Sequence, residues 1–304
     1  SRTVNLFYQQ GNRYNINTSS FLTRNYGAKV VYGFPLSEVN RYSLGLGYRH
    51  GMMAPYCSSP IEFKNFVGNP ANGRVEINPS FCPGLDPTVP VNVPLPTLTY
   101  DNIMGMIGFA HDTRNRTVLP TRGTLQQLQL RVALPIGSET YYKATWSQFT
   151  FVPLGAGFVY GVNSLVGIGG AYGDTSSLPP YEHFFAGGPS SVAGYQSGTL
   201  TPLDSNGLSY GGEFATWVRN ELIIPNFLGG PSAQHSYRVA FFLDAGNVFA
   251  TPGDFSWDGI RGSYGIALTW LTPLGAMRFS YAIPFHYQPG DRLERFQFSL
   301  GAYF

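Results

Sequence analysis

An antiparallel transmembrane β-barrel of about twelve strands is the all-β fold this sequence predicts, on three observations. Charge is scarce: 12% of the 304 residues are charged, against 43% hydrophobic and 15% aromatic, where an ordinary soluble domain carries about a quarter charged residues. The apolar residues do not gather into runs, and no stretch reaches the roughly 18 that a membrane-crossing helix needs. They alternate instead with small or polar residues at a period of two, the repeat of a strand with one face in lipid and the other in water.

The alternation sets the elements. Tyr26, Ala28, Val30, Tyr32 and Phe34 share one face, with Lys29 and Gly33 opposite; Tyr42, Leu44, Leu46 and Tyr48 follow, with Ser43, Gly45 and Gly47 between them. Leu128, Leu130, Val132 and Leu134 alternate with Gln127, Gln129, Arg131 and Ala133, an apolar face against a wet one; a helix would scatter those glutamines round its circumference. The last three strands are the cleanest: Tyr264, Ile266, Leu268 and Trp270; then Met277, Phe279, Tyr281, Ile283 and Phe285; then Phe296, Phe298, Leu300, Ala302 and Phe304. Weaker alternation marks 4–14, 103–111, 141–152, 158–171, 214–224 and 239–249. Trp146 and Phe149 fall on opposite parities, which predicts a bulge in their strand.

Short connections at 35–41, 153–157 and 272–276 alternate with long ones at about 51–98 and 174–211. Short periplasmic turns and long extracellular loops are the pattern of a transmembrane barrel, with 137–140 as the exception. The expectation is one barrel domain over 1–304, in a bacterial-type outer membrane. A soluble β-sandwich also alternates, but low charge combined with aromatic strand ends favours the membrane.

The net charge of +2 comes from 19 basic and 17 acidic residues without clusters, so no footprint for nucleic acid exists. His50, His111, His183, His235 and His286 lie far apart, with no metal-ligand spacing, and no cofactor is implied. No Gly-x-Ser-x-Gly elbow occurs, although a Ser, His and acid set assembled in space stays open. Gly167-Ile168-Gly169-Gly170 sits inside a strand-like run with no helix after it, so it reads as strand glycine and not as a dinucleotide loop. Cys57 and Cys82 lie in one Pro-rich stretch and suit a loop-closing disulfide in an oxidising compartment; two free thiols are the alternative. Glu221 and Asp244 interrupt apolar strands, and because a carboxylate facing lipid is costly, both are expected to point into the lumen.

Several segments resemble the BamA-type outer-membrane assembly insertases. The resemblance rests on Gly265-Ile266-Ala267-Leu268-Thr269-Trp270 with Pro273-Leu274-Gly275 and Phe279-Ser280-Tyr281-Ala282; on Phe184-Phe185-Ala186-Gly187-Gly188 ahead of Val192-Ala193-Gly194-Tyr195; and on Phe296-Gln297-Phe298-Ser299-Leu300-Gly301. A further similarity reaches back to Tyr26 and the Gly33-Phe34-Pro35 turn. The resemblance implies a 16-stranded barrel preceded by periplasmic POTRA domains, so that this chain, which starts directly in a strand-like run, corresponds to the last twelve strands. It also implies a long loop folded into the lumen, whose Val/Ile-Arg-Gly-Phe/Tyr motif meets acids on neighbouring strands. By position the motif is Val192-Ala193-Gly194-Tyr195 and the acids are Glu221 and Asp244. Ala193 stands where the arginine belongs and has no donor to offer a carboxylate. An engineered change, a natural variant with a substitute cation and a relative that is no insertase are the three explanations. Arg219, on the same strand face as Glu221, is the first candidate substitute, and the loop is expected to dock less firmly.

The function implied is assisted folding, with no bond-making catalysis: the seam at the last strand opens and a client strand adds at the exposed edge. Outer-membrane lipids, client β-barrel proteins and, through POTRA domains, accessory assembly lipoproteins are the partners this implies. Gly301 interrupts the closing strand and weakens its pairing, or is simply a small lumen-facing residue. Phe304 marks the chain end both as an insertion signal and as an interface aromatic. The rivals are a passive pore, whose ion preference Arg131, Glu221, Asp244 and Arg278 would set, and a polypeptide-secretion barrel of the same superfamily.

Overall fold

Twelve strands run in one antiparallel sheet whose order follows the chain. A computed structural model describes residues 2–15, 18–55, 59–68, 97–225, 236–273 and 275–301. The wall strands are β1 (Arg2–Asn15), β2 (Thr18–Pro35), β3 (Asn40–Ala54), β4 (Leu98–Asp112), β5 (Gly123–Ala133), β6 (Tyr141–Gly155) and β7 (Phe158–Ala171). After a two-residue strand β8 (Gly194–Tyr195) come β9 (Phe214–Ile224), β10 (Tyr237–Phe249), β11 (Arg261–Thr272) and β12 (Gly275–Phe285). The two-residue β13 (Leu293–Glu294) then precedes the closing strand β14 (Phe296–Leu300). Each wall strand pairs with its predecessor in the wall, β7 with β9 and β12 with β14, while β8 and β13 form a separate two-stranded ribbon. Among the described residues β1 and β14 are the two ends of the sheet.

The period-two pattern becomes two unlike faces. Outward-pointing Leu46, Trp270 and Phe296 are 63%, 50% and 61% exposed, while their neighbours Ala267, Ser280 and Gln297 on the inner parity are almost fully buried. An apolar band of this extent, continued by Leu44, Ile107, Leu128, Ile266 and Phe298, has no counterpart on a water-facing surface and is the lipid face of a membrane wall. Cross-strand pairing aligns it: Leu268 lies opposite Phe279 and Phe279 opposite Phe298, the two Phe rings 5.0 Å apart, within the range of favourable aromatic pairs. Among the described residues no helix is long and apolar enough to cross a membrane.

The inner face is covered by the chain's own long connection between β7 and β9. Phe184, Ala186, Val192, Tyr195 and Leu200 of that loop form a buried cluster with Ala215 of β9 and Val248 of β10. Leu178 joins Met104, Ala133 and Tyr141 of β4, β5 and β6 in a second. The loop is thus held across much of the inner wall by apolar burial, each large side chain contributing about 1.5–3 kcal/mol.

Several details differ from the sequence reading. The register of β5 with β6 and of β6 with β7 runs unbroken through Trp146 and Phe149; the one shift falls between Pro153 and Gly155. The bulge expected at 146–149 is therefore absent, because aromatics occupy both faces: Trp146 points outward, whereas Phe149 and Phe151 line an inner cavity, where Phe151 lies under the Arg238 guanidinium at 5.7 Å. The connection expected from 51 starts later, since β3 runs on to Ala54, and it contains a helix, α1 (Ile61–Val67). Phe63, Phe66 and Val67 of α1 bury against Met53, a helical i, i+3, i+4 stripe. The closing strand expected to reach 304 ends at Leu300, where Gly301 turns at φ +139°, a conformation that strongly favours glycine. Cys57, Cys82, Ala302 and Phe304 lie outside the described residues.

Candidate functional site

The pairing of β9 with β10 puts Arg219 directly opposite Asp244 on the inner face. The guanidinium grips the carboxylate with both arms, Nε donating to Oδ1 at 2.8 Å and Nη2 to Oδ2 at 2.6 Å. This is the bidentate arrangement in which arginine binds carboxylates most strongly. The same guanidinium reaches the loop: Nη1 donates to the Pro189 carbonyl at 2.6 Å and Nη2 also to that of Ser191 at 3.3 Å. Asp244, fully buried, also accepts the Ala193 N–H at 2.9 Å. One buried ion pair therefore joins two wall strands to the loop backbone just before the motif and within it.

The four motif residues are themselves buried. Ala193 packs against Phe242, Ala267 and Ala282, so its methyl fills a space between one aromatic ring and two alanines. Gly194 has φ +86°, and a Cβ on it would stand 2.9 Å from the Ala282 Cβ and 3.0 Å from the Pro284 Cγ; glycine is required on both counts. Tyr195 donates its hydroxyl to the carbonyls of Gly262 and Phe285 at 3.0 and 3.2 Å and pairs with Leu293 in the β8–β13 ribbon. Burial among these groups pushes the Tyr195 hydroxyl up to about 12.

Gln297 ties this motif to the closing strand. Its side-chain oxygen accepts the Gly194 N–H at 3.1 Å, and its amide donates to the Tyr195 carbonyl at 2.7 Å, so one amide satisfies two backbone groups of the loop. Of the predicted seam residues, Phe296, Phe298 and Leu300 face outward, Gly301 ends the strand with its N–H still bonded to the Ala276 carbonyl at 3.0 Å, and the inward Gln297 makes the contact. Gln297→Ala leaves a buried N–H and a buried C=O unpartnered, at about 1–3 kcal/mol each. Proteolysis within 172–213 of the folded protein is expected to accelerate roughly tenfold or more; wild-type cleavage rates would contradict this coupling.

Glu221 does not meet the loop motif. It stands opposite Phe242 in the β9–β10 register and reaches Arg278 of β12 at 2.5 Å. Asp244 alone of the two predicted acids contacts the motif, and Arg219, the candidate substitute cation, supplies the donors that Ala193 lacks.

A second anchor escaped the sequence reading. Glu182, at the end of a 3-10 turn in the loop, accepts from Arg49 of β3 at 2.7 Å and Arg131 of β5 at 3.0 Å, with the Lys143 ammonium of β6 at 3.8 Å. Lys143 also donates to the Glu182 carbonyl. Beside it the Tyr181 ring stacks on Tyr100, 4.8 Å away and 9° from parallel, and the Tyr181 hydroxyl donates to Glu139. Burial works to raise the Glu182 pKa, but Arg131, Arg49 and Lys143 together outweigh it and hold the carboxyl below its ordinary range. The available signal was the presence of Arg49, Arg131 and Lys143 on inner-facing positions of three strands, where bare cations would be costly without an acid.

A chain-ordered antiparallel sheet, apolar outside and locked inside to its own returned loop at Asp244, Glu182 and Gln297, defines a plugged transmembrane β-barrel wall. The chain belongs to the Omp85 superfamily, whose domain profile matches residues 1–304. It is 32% identical over 93% of its length to the outer membrane protein assembly factor BamA of Neisseria meningitidis serogroup B, spanning 37% of that protein. It is 29% identical over 64% of its length to the mouse sorting and assembly machinery component 50 homolog, spanning 44% of it. The crystal structure of BamA from Haemophilus ducreyi lacking POTRA domains 1-3 superposes with a TM-score of 0.85 at 25% identity, covering 98% of this chain and 57% of that one.

Proposed function

We infer that the protein assembles other β-barrel proteins into the outer membrane, by offering a strand edge at β14 to which a client strand adds. The observation that carries this reading is the weak last pairing. Among the described residues β14 is 5 residues long and pairs with β12 from Met277↔Leu300 to Tyr281↔Phe296, with one further backbone bond at each end, Gly301 to Ala276 and Ala282 to Arg295, whereas β11 and β12 pair from Gly262↔Phe285 to Thr272↔Gly275. A short edge strand followed by a kink at Gly301 opens at low cost, and an unpaired edge is a template for an incoming strand. The loop is tied to that strand through Gln297, so opening the seam and shifting the loop are one movement. The names carried by the Neisseria and mouse relatives, assembly factor and sorting and assembly machinery, support the same role.

In this reading 1–304 is one barrel domain with its long connections at 51–98 and 174–211 entered from the extracellular side. Lipids bathe the apolar band, client β-barrel proteins are the substrates, and accessory assembly lipoproteins are partners of POTRA domains rather than of this wall. The pore alternative needs a continuous water path, and the fully buried Leu178, Val192 and Tyr195 of the loop stand in it. Depletion of the full-length protein in its host tests the reading: folded levels of other outer-membrane barrels are expected to fall within a few generations. Unchanged levels would overturn it.

A further inference from the structure

On the inner face of the first six strands an open pocket brings together the charged residues Lys29, Arg49, Arg131, Lys143 and Glu182. Four cations share it with one carboxylate, and that carboxylate belongs to the loop, not to the wall. Glu182 satisfies one Nη each of Arg49 and Arg131, but the buried Nε of Arg49 has no acceptor, and Lys29 makes no ion pair among the described residues. Like charges gathered against a low-dielectric wall repel one another unless a counter-charge joins them. Among the described lining residues the excess is three positive charges, too many for a halide to balance. Guanidinium groups beside ammonium groups match phosphate in geometry as well as charge.

We propose that this cavity is a binding site for a multiply charged, phosphate-bearing anion, held by Lys29, Arg49, Arg131 and Lys143 alongside the Glu182 carboxylate. The site stands apart from the seam and from the Asp244 lock, and it does not depend on the assembly reading. Because Glu182 draws on three of the same cations, anion occupancy and loop docking share their donors.

Calorimetric titration of the folded full-length protein with sodium tripolyphosphate, in nanodiscs of zwitterionic lipid at constant ionic strength, tests this. Saturable one-to-one binding is expected, weakened about tenfold or more by Lys29→Gln, which removes a cation, and by Asn25→Asp, which adds a carboxylate to the cavity lining. Heat-modifiability on gels reports whether each variant remains folded, and should one fail to fold the other still decides. Absence of saturable heat at millimolar tripolyphosphate, or equal affinity in folded variants and wild type, would overturn the proposal. Repeating the titration with an anionic phospholipid in the nanodisc separates the sources of the ligand. Competitive loss of tripolyphosphate binding that Lys29→Gln abolishes identifies a lipid headgroup, and unaltered binding identifies a soluble phosphate compound.

Discussion

Arg219→Ala is expected to release the lumen loop and to produce the largest loss of stability of any single substitution at the motif. The change leaves Asp244, fully buried, with only the Ala193 N–H as a donor, and strips the Pro189 and Ser191 carbonyls of theirs. Removing one partner of a buried pair costs about 3–5 kcal/mol because the other charge stays behind. Cleavage of the 172–213 loop in the folded protein should then rise by roughly two orders of magnitude, and heat-modifiability on gels should be lost at lower temperature. Arg219→Lys retains the charge but not the fork that meets both carboxylate oxygens and two carbonyls, and is expected to recover only part of the loss.

The same geometry gives Ala193→Arg an expected sign. A guanidinium brought in on the loop enters a space occupied by Phe242, Ala267 and Ala282, beside an acid that Arg219 already grips, so the single change is destabilising. In the Arg219→Ala background the new arginine finds Asp244 open and the lumen less crowded. The double variant should therefore dock its loop more firmly than either single one, a non-additive result of the kind that residues sharing one partner produce. Losses that simply add would show that position 193 and Arg219 do not compete for the same carboxylate.

Most of the wall was legible because a membrane strand must show lipid a row of apolar side chains, and a period of two survives in any register. The strands expected at 158–171 and 214–224 have those bounds in the structure. Legibility failed where burial lay on both faces. Phe149 and Phe151 break the apolar-out rule because the lumen is itself filled, and α1 hid inside a Pro-rich stretch where only three apolar residues carry its stripe. The pairing of Asp244 with Arg219 could be anticipated from parity alone, since both point inward. Gln297 could not, as a polar residue on the inner parity of β14 looks the same whether it meets water or backbone. For the Glu182 anchor the inward cations Arg49, Arg131 and Lys143 signalled the need for an acid but not which one: they lie 133, 51 and 39 positions from Glu182, on three strands whose proximity to the loop no local pattern encodes.

Glu182→Gln is expected to loosen the loop at its other end, and to do so in a way that pH reveals. The side chain is nearly buried, while Lys143, Arg49 and Arg131 are progressively more exposed, the last by a third. Solvent therefore absorbs part of the charge left behind, and the loss should be about 2–3 kcal/mol, smaller than for Arg219→Ala. Because the folded protein holds the Glu182 carboxyl below its ordinary pKa, docking gains from the ionised form at neutral pH and forfeits that gain as pH falls through the depressed value. Wild-type loop protection, followed by hydrogen exchange at Tyr181 and Glu182, should hold from pH 7 to about pH 5 and decline below about pH 4. Other acids in the lumen titrate too, so the informative quantity is the difference between wild type and Glu182→Gln. That difference should be greatest near neutrality and shrink towards acid, as the wild type acquires the neutral side chain that the variant already carries. A difference independent of pH would mean that Glu182 holds the loop by shape and neutral hydrogen bonding, with Arg49, Arg131 and Lys143 contributing little through their charge.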